Sequence, residues 1–211
     1  PNRYSWVWKK ACITSRNRKF RQITELFKEI NESTQLPINA YFPTGEEYHI
    51  EELEKYLEKL NEIREAESIE FVHGIGKRKC PLQRYYEKLK EITDKLKEYA
   101  IKIKKCGDHR NSYSKTDEDA TFMRMKTDYI GNTALLPAYN WQLAVSNEYI
   151  LFGLTSQSAS DNKCFIPLME KYRKIFGRYP NYPVADAGYG NLETYRFCES
   201  NDIEMYMKFP L

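Results

Sequence analysis

From Arg16 to Ser33 the apolar residues Phe20, Ile23, Phe27 and Ile30 recur at the three-and-four spacing that turns one helical face toward a core, with Thr14 or Ser15 available as the N-cap. Leu36 to Pro43 is a Pro-punctuated connection. Thr44 and Glu47 then form a capping-box pattern ahead of Ile50, Leu53, Leu57, Leu60 and Ile63, which predicts a second helix. The stretch FVHGIGKRKCP breaks the period. Helical spacing resumes through Leu82, Tyr85, Leu89, Ile92, Leu96, Tyr99 and Ile103 until Gly107 ends it. Two long helices joined by a basic loop are expected to pack as an antiparallel hairpin.

Beyond Gly107 the period changes from helical to β-prone. Tyr139, Trp141, Leu143 and Val145 alternate, Ser146-Asn147-Glu148 turns the chain, and Tyr149 to Thr155 is again β-prone, so a hairpin is expected. Asp161 is placed to cap a helix carrying Phe165, Leu168, Met169, Tyr172 and Phe176 that stops at Gly177. A short strand, Tyr182 to Ala185, ends at Asp186. Gly188 and Gly190 allow a tight turn into a helix from about Asn191 to Ser200, and Ile203 to Phe209 reads as a last strand. The fold class is therefore α/β, with residues 1–110 as a helical region and 111–211 as a strand-and-helix region.

Composition narrows this further. A chain of 211 residues that is 41% hydrophobic and 30% charged, with 9 Gly and 9 Pro, is neither disordered nor collagen-like. No apolar run approaches the length of a membrane span, and PNRYSWVWKK lacks the apolar core of a signal peptide, so a cytoplasmic, non-membrane setting is expected. The opening Pro reads as a piece of something longer. Five scattered Cys without a Cys-x-x-Cys pair argue against disulfides. Cys106 and His109, with Cys80 and His73 upstream, lack the second close pair that a zinc site needs.

The formal net charge of +3 conceals blocks of opposite sign. Residues 1–30 hold eight basic and two acidic side chains, 31–70 three and eleven, and 71–110 twelve and five. The positive charge collects around Lys9, Lys10, Arg16, Arg18, Lys19 and Arg21 and around Lys77, Arg78, Lys79 and Arg84; Arg124 and Lys126 lie further on. Such clusters can neutralise nucleic-acid phosphates, although the acidic window between them can balance much of that charge. The glycine-bearing loop is no P-loop, because Phe71 and Arg78 stand where that motif needs Gly and Ser or Thr.

An Asp at the carboxyl end of a strand, followed by Gly-Tyr-Gly, sits where open α/β sheets place their ligand sites. Asp186 can supply hard oxygen to a divalent cation, or it can simply cap the next turn. Asp117, Glu118 and Asp119 form a second acidic knot that reads more readily as a turn. His49, His73 and His109 belong to no nucleophilic pairing.

The stretch RNSYSKTDEDATFMRMKTDYIGNTALLPAYNWQLAVSNEYI, followed by SASDNKCFIPLMEKY and YPVADAGYGNLETYRFCE, resembles bacterial insertion-sequence transposases of the DDE type; the opening NRYSWVWKK and the helical hairpin share the likeness. Glu118 departs from the pattern, where His or Pro is expected. The resemblance implies a ribonuclease-H-like mixed sheet, partial here, with a long helical insertion on its N-terminal side. It implies two Mg²⁺ ions held by two Asp and one Glu, which serve cleavage and strand transfer at the element's DNA ends and target. Asp186 matches the second of those Asp. The first, in an Asp-Gly-Thr motif, is expected ahead of Asn2, and the Glu beyond Leu211. Asp117, Asp119 and Tyr189 are candidate active-site neighbours, Lys9, Lys10, Arg16, Lys77, Arg78, Lys79, Arg124 and Lys126 candidate DNA contacts, and a homo-oligomeric synaptic complex is implied. The alternatives are a non-catalytic DNA-binding or oligomerisation module and a decayed remnant.

Overall fold

The computed structural model describes residues 6–33, 41–74, 77–125 and 135–208. The chain divides into two compact units, Trp8–Lys105 and a second that joins Pro1–Val7 to Cys106–Leu211. Much of the Leu36 to Pro43 connection, Gly76 of the basic loop, Lys126 and Phe209 lie outside the described residues.

The first unit is built from α1 (Lys9–Glu32), α2 (Ile50–Ala66) and α3 (Pro81–Cys106). The α1 helix begins at Lys9 rather than Arg16, because buried Cys12 continues the stripe of Phe20, Ile23, Phe27 and Ile30 and no Gly or Pro interrupts it. Thr14 and Ser15 thus lie inside the helix, and Trp8 holds the cap position with no capping bond from its side chain. The Thr44–Glu47 capping box gives way similarly: His49 is the N-cap of α2, and Glu51 and Glu52 place negative charge at its positive end. The preceding segment is fastened to α1 instead. The Tyr48 hydroxyl accepts from the Gly45 N–H at 2.9 Å and shares a hydrogen bond with Thr24 Oγ1 at 2.9 Å, while the Asn31 amide bonds the Phe42 backbone in both directions.

Pro81 opens α3 where no N–H is needed, and Gly107 follows its end in the left-handed conformation, φ 59°. The helix runs antiparallel to both others. Glu54 of α2 meets Lys97 at 2.7 Å while Val72, past the end of α2, bonds Gln83; Glu29 late in α1 meets Lys88 at 3.9 Å. Ile23, Leu26, Phe27, Phe42, Leu53, Leu60 and Leu89 are fully buried between the helices, each contributing about 1.5–3 kcal/mol of burial.

In the second unit β1 (Trp6–Trp8) pairs with β2 (Ser112–Ser114), and β3 (Thr121–Arg124) lies antiparallel to β4 (Leu135–Ala138). These strands are too short for their alternation to stand out in the sequence. The expected hairpin is β5 (Asn140–Ser146) against β6 (Tyr149–Ser156), closed by Asn147 and Glu148 at φ 48° and 70°. Two positive φ values make a turn whose twist matches the strands. The α4 helix (Phe165–Phe176) ends at Gly177, φ 75°, and α5 (Leu192–Ser200) starts on Asn191, whose side chain accepts from the Thr194 N–H at 2.9 Å. It connects β7 (Val184–Ala185) to the parallel β8 (Tyr206–Met207). Strand β7 is shorter than expected because Pro183 can offer its carbonyl to the Tyr206 N–H, at 2.9 Å, but has no N–H of its own. Phe165, Leu168, Met169, Cys198 and Ile203 form the core.

One further expectation is corrected. The carboxylate of Asp161 does not cap α4; Cys164 is its N-cap, and Asp161 opens a short 3-10 turn, Asp161–Lys163. The described strands form four two-stranded pairs. A slot of about 410 Å³, lined by Leu143, Val145, Leu168, Tyr182, Val184 and Asp186, lies between β5 and β7. No described helix is long and apolar enough to cross a membrane.

Candidate active site

Asp186 follows directly on β7 and starts the 3-10 turn Ala187–Tyr189. Its Oδ1 accepts from the Gly188 N–H at 2.8 Å, so the carboxylate caps the turn as well as ending the strand. Among the described residues Oδ2 accepts no hydrogen bond, which leaves one hard oxygen available. A side-chain carbon at Gly188 would stand 2.9 Å from Asp186 Oδ1 and 3.7 Å from Asp161 Oδ2. Glycine is needed there for close approach, not for an unusual backbone, and the distances place both carboxylates near it.

Behind the turn lies a polar network at the base of the hairpin. Gln142 is 4% exposed; its amide nitrogen donates to Asp161 Oδ1 at 2.8 Å and to Asn140 Oδ1 at 2.7 Å, and its Oε1 accepts from the Tyr189 hydroxyl. Asn140 Nδ2 adds a second bond to Asp161 Oδ1 at 2.8 Å. Every hydrogen-bonding atom of the Gln142 side chain is thus engaged at its natural polarity. Burial pushes the Tyr189 hydroxyl up to about 12, helped by the negative charges of Asp161 and Asp186, so Tyr189 stays a donor at neutral pH.

The structure places Tyr189 beside Asp186 and adds Asp161, Gln142 and Asn140, none of which the sequence reading assigned to this site. The one available signal was Asn140 and Gln142 on the alternate positions of a strand whose other positions are apolar. Asp117 and Asp119 make other contacts. Asp117 accepts both backbone N–H groups of its own turn and the Tyr139 hydroxyl at 2.8 and 3.0 Å; the bond from Tyr139 holds its carboxyl below the usual range. Asp119 accepts from Gln157 at 3.3 Å and lines a groove with His109, Tyr139 and Lys163.

The basic candidates divide between the units. Lys9, Lys10 and Arg16 lie on α1, with the Arg16 guanidinium over the Phe20 ring at 5.6 Å. Lys77 and Arg78 are exposed ahead of α3, whereas Lys79 is held by Glu87 at 2.5 Å. Arg124 is exposed at the end of β3, and Lys126 lies outside the described residues. On α3, Lys88, Lys95, Lys97 and Lys102 all pair with Glu. On α1 no ion pair among the described residues holds Lys10, Arg18, Arg21 or Lys28, although Glu25, Glu46 and Glu47 line the same groove as Arg21 and Lys28.

A divalent ion is what a strand-end carboxylate suggests, and the donors are of the right kind: hard oxygens on Asp186 and Asp161. Their number falls short, since no group of three or more His, Cys, Asp or Glu among the described residues can hold a metal ion.

The family model for the transposase DDE domain matches residues 110–210, just under half the chain, which supports reading this stretch as a fragment of a DDE-type transposase. Transposase DDE domains act on DNA and generally use divalent metal ions. Comparison with curated proteins and with solved structures found no match.

Proposed function

We propose that this chain is the central part of an enzyme that cleaves DNA at insertion-sequence ends and joins those ends to target DNA, with Asp186 as a metal ligand. One observation carries the reading: Asp186 stands at the carboxyl end of β7, inside the matched segment, with an oxygen left for coordination. The remaining carboxylates are an Asp ahead of Asn2 and a Glu beyond Leu211. On this reading a further strand bringing that Asp beside Asp186 would lie along the slot between β5 and β7 and would convert separate strand pairs into the ribonuclease-H-like mixed sheet. On this reading Trp8–Lys105 is a helical insertion, since the residues on either side of it fall in one unit.

Two Mg²⁺ ions, when bound, would polarise the scissile phosphate and activate water or a 3′-hydroxyl. This chain's residues hold that place: Asp186 offers one oxygen, and the bond from Gly188 fixes its other. In the helical unit, α1 offers cations to a DNA backbone. Several subunits would assemble with the DNA ends. In a transposase carrying the complete carboxylate set, Asp186→Asn is expected to abolish Mg²⁺-dependent end cleavage, a loss of at least a hundredfold, and the 211-residue chain alone is expected to cut nothing. Cleavage unchanged in Asp186→Asn, followed on labelled end fragments, refutes the role of Asp186.

A further inference from the structure

Resting on that reading, we infer that Gln142, Tyr189 and Asp161 are positioning residues that hold the Asp186 turn against the hairpin. Strand β7 has two residues and its turn three, so the local backbone alone defines the direction of Asp186 weakly. The network supplies the missing constraint. Tyr189 closes the turn that Asp186 opens, and its hydroxyl is anchored on Gln142 Oε1. Gln142 cannot rotate its amide to release Tyr189, because the flipped amide would face Asp161 Oδ1 and Asn140 Oδ1 with an acceptor. Asp161 therefore acts from a distance: by accepting two amide N–H bonds it selects the orientation of Gln142, which selects the position of Tyr189 and of the carboxylate beyond it. A second tie has the same sense, since Asn191, just past the turn, donates to the Asn162 carbonyl at 2.6 Å. Burial of Gln142 at 4% exposed keeps water from replacing these bonds.

This role requires an acceptor at residue 161, not a charge, which separates it from metal coordination by Asp161. The test uses the 211-residue chain labelled with ¹⁵N-glycine. It reads hydrogen exchange at the Gly188 amide, the donor to Asp186, and the Mn²⁺ concentration that broadens that resonance. Tyr189→Phe and Gln142→Met, which retain volume, are each expected to speed Gly188 exchange about fivefold and to raise the Mn²⁺ requirement by a similar factor. Asp161→Asn keeps the acceptor and is expected to match the unsubstituted chain in exchange, while Asp161→Ala matches Gln142→Met. Gly188 exchange unchanged in both Tyr189→Phe and Gln142→Met overturns the inference, and so does loss of protection in Asp161→Asn equal to that in Asp161→Ala. Asp186→Asn is measured alongside: Mn²⁺ broadening that persists there refutes Asp186 as a ligand, while the exchange results still decide whether the network positions the turn.

Discussion

Gly188 does its work by what it lacks. Its backbone is not left-handed, so alanine is conformationally tolerable; the obstacle is the Asp186 carboxylate, 2.9 Å from where a side-chain carbon would sit. Gly188→Ala is therefore expected to push Asp186 off the Gly188 N–H and cost about 1 kcal/mol in thermal unfolding, with a shift in the Asp186 carboxyl ¹³C resonance. An unmoved resonance contradicts this. Residue-scale legibility was uneven for a physical reason. Asp186 could be found because strand end, Asp and Gly are contiguous in sequence. Asp161 and Gln142 could not, because their meaning lies in each other: Asp161 before a helix reads as a cap, and Gln142 gains its role by facing inward while Trp141 and Val145 on the same strand are 67% and 58% exposed. Alternation shows that a strand is present without saying which face is covered.

At the scale of elements, apolar spacing located the helices well and their starts poorly. Caps predicted from Thr14 and Thr44 failed because tertiary contacts, Cys12 in the core and Tyr48 on Thr24, decided where the helices begin. Within α3 the charges are arranged more regularly. Glu98 sits between Lys95 and Lys102, whose hydrogen bonds and charge pull its carboxyl down to about 2. A depressed carboxyl contributes stability that is present above its unfolded value near 4.5 and is lost as pH falls toward about 2. Glu98→Gln removes that dependence, so the difference in unfolding temperature between the two chains is expected to narrow steadily across this window, by circular dichroism. A constant difference shows that the lysines do not stabilise the carboxylate. Lys95 is exposed and Lys102 half-buried, so the effect is modest.

At the scale of the whole molecule, the change of texture after Gly107 was visible because a Lys/Glu-rich helical period gives way to an aromatic β-prone one. Strand pairing was less so, since β2, β3 and β4 span three or four residues and the slot between β5 and β7 has no sequence signature. The charge blocks were legible as composition, but the structure shows which of them are spent internally. Lys88, Lys95, Lys97 and Lys102 of α3 answer glutamates, whereas Lys10, Arg21 and Lys28 occupy one stripe of α1 at spacings of whole helical turns. Residues 8–105, which contain their own core, are expected to bind duplex DNA without sequence preference, log K falling linearly with log salt. Replacing both Arg21 and Lys28 by Ala is expected to reduce that slope by about two, measured by fluorescence anisotropy across a salt series. A slope unchanged by the double substitution places the phosphate contacts elsewhere.

The antiparallel course of α1 and α3 bears on how such a chain reaches its native state. Pairing Trp6–Trp8 with Ser112–Ser114 requires closing a loop that spans the entire helical unit, an entropic cost that rises with the logarithm of loop length. Because α3 reverses the direction of α1, folding of the three helices by largely local contacts returns Lys105 to the end of the bundle from which Lys9 departs. The long loop is then short in effect. The most distant strand pair in the sequence becomes a late, inexpensive step, and the contact order that governs its rate is that of the chain with its helices already formed.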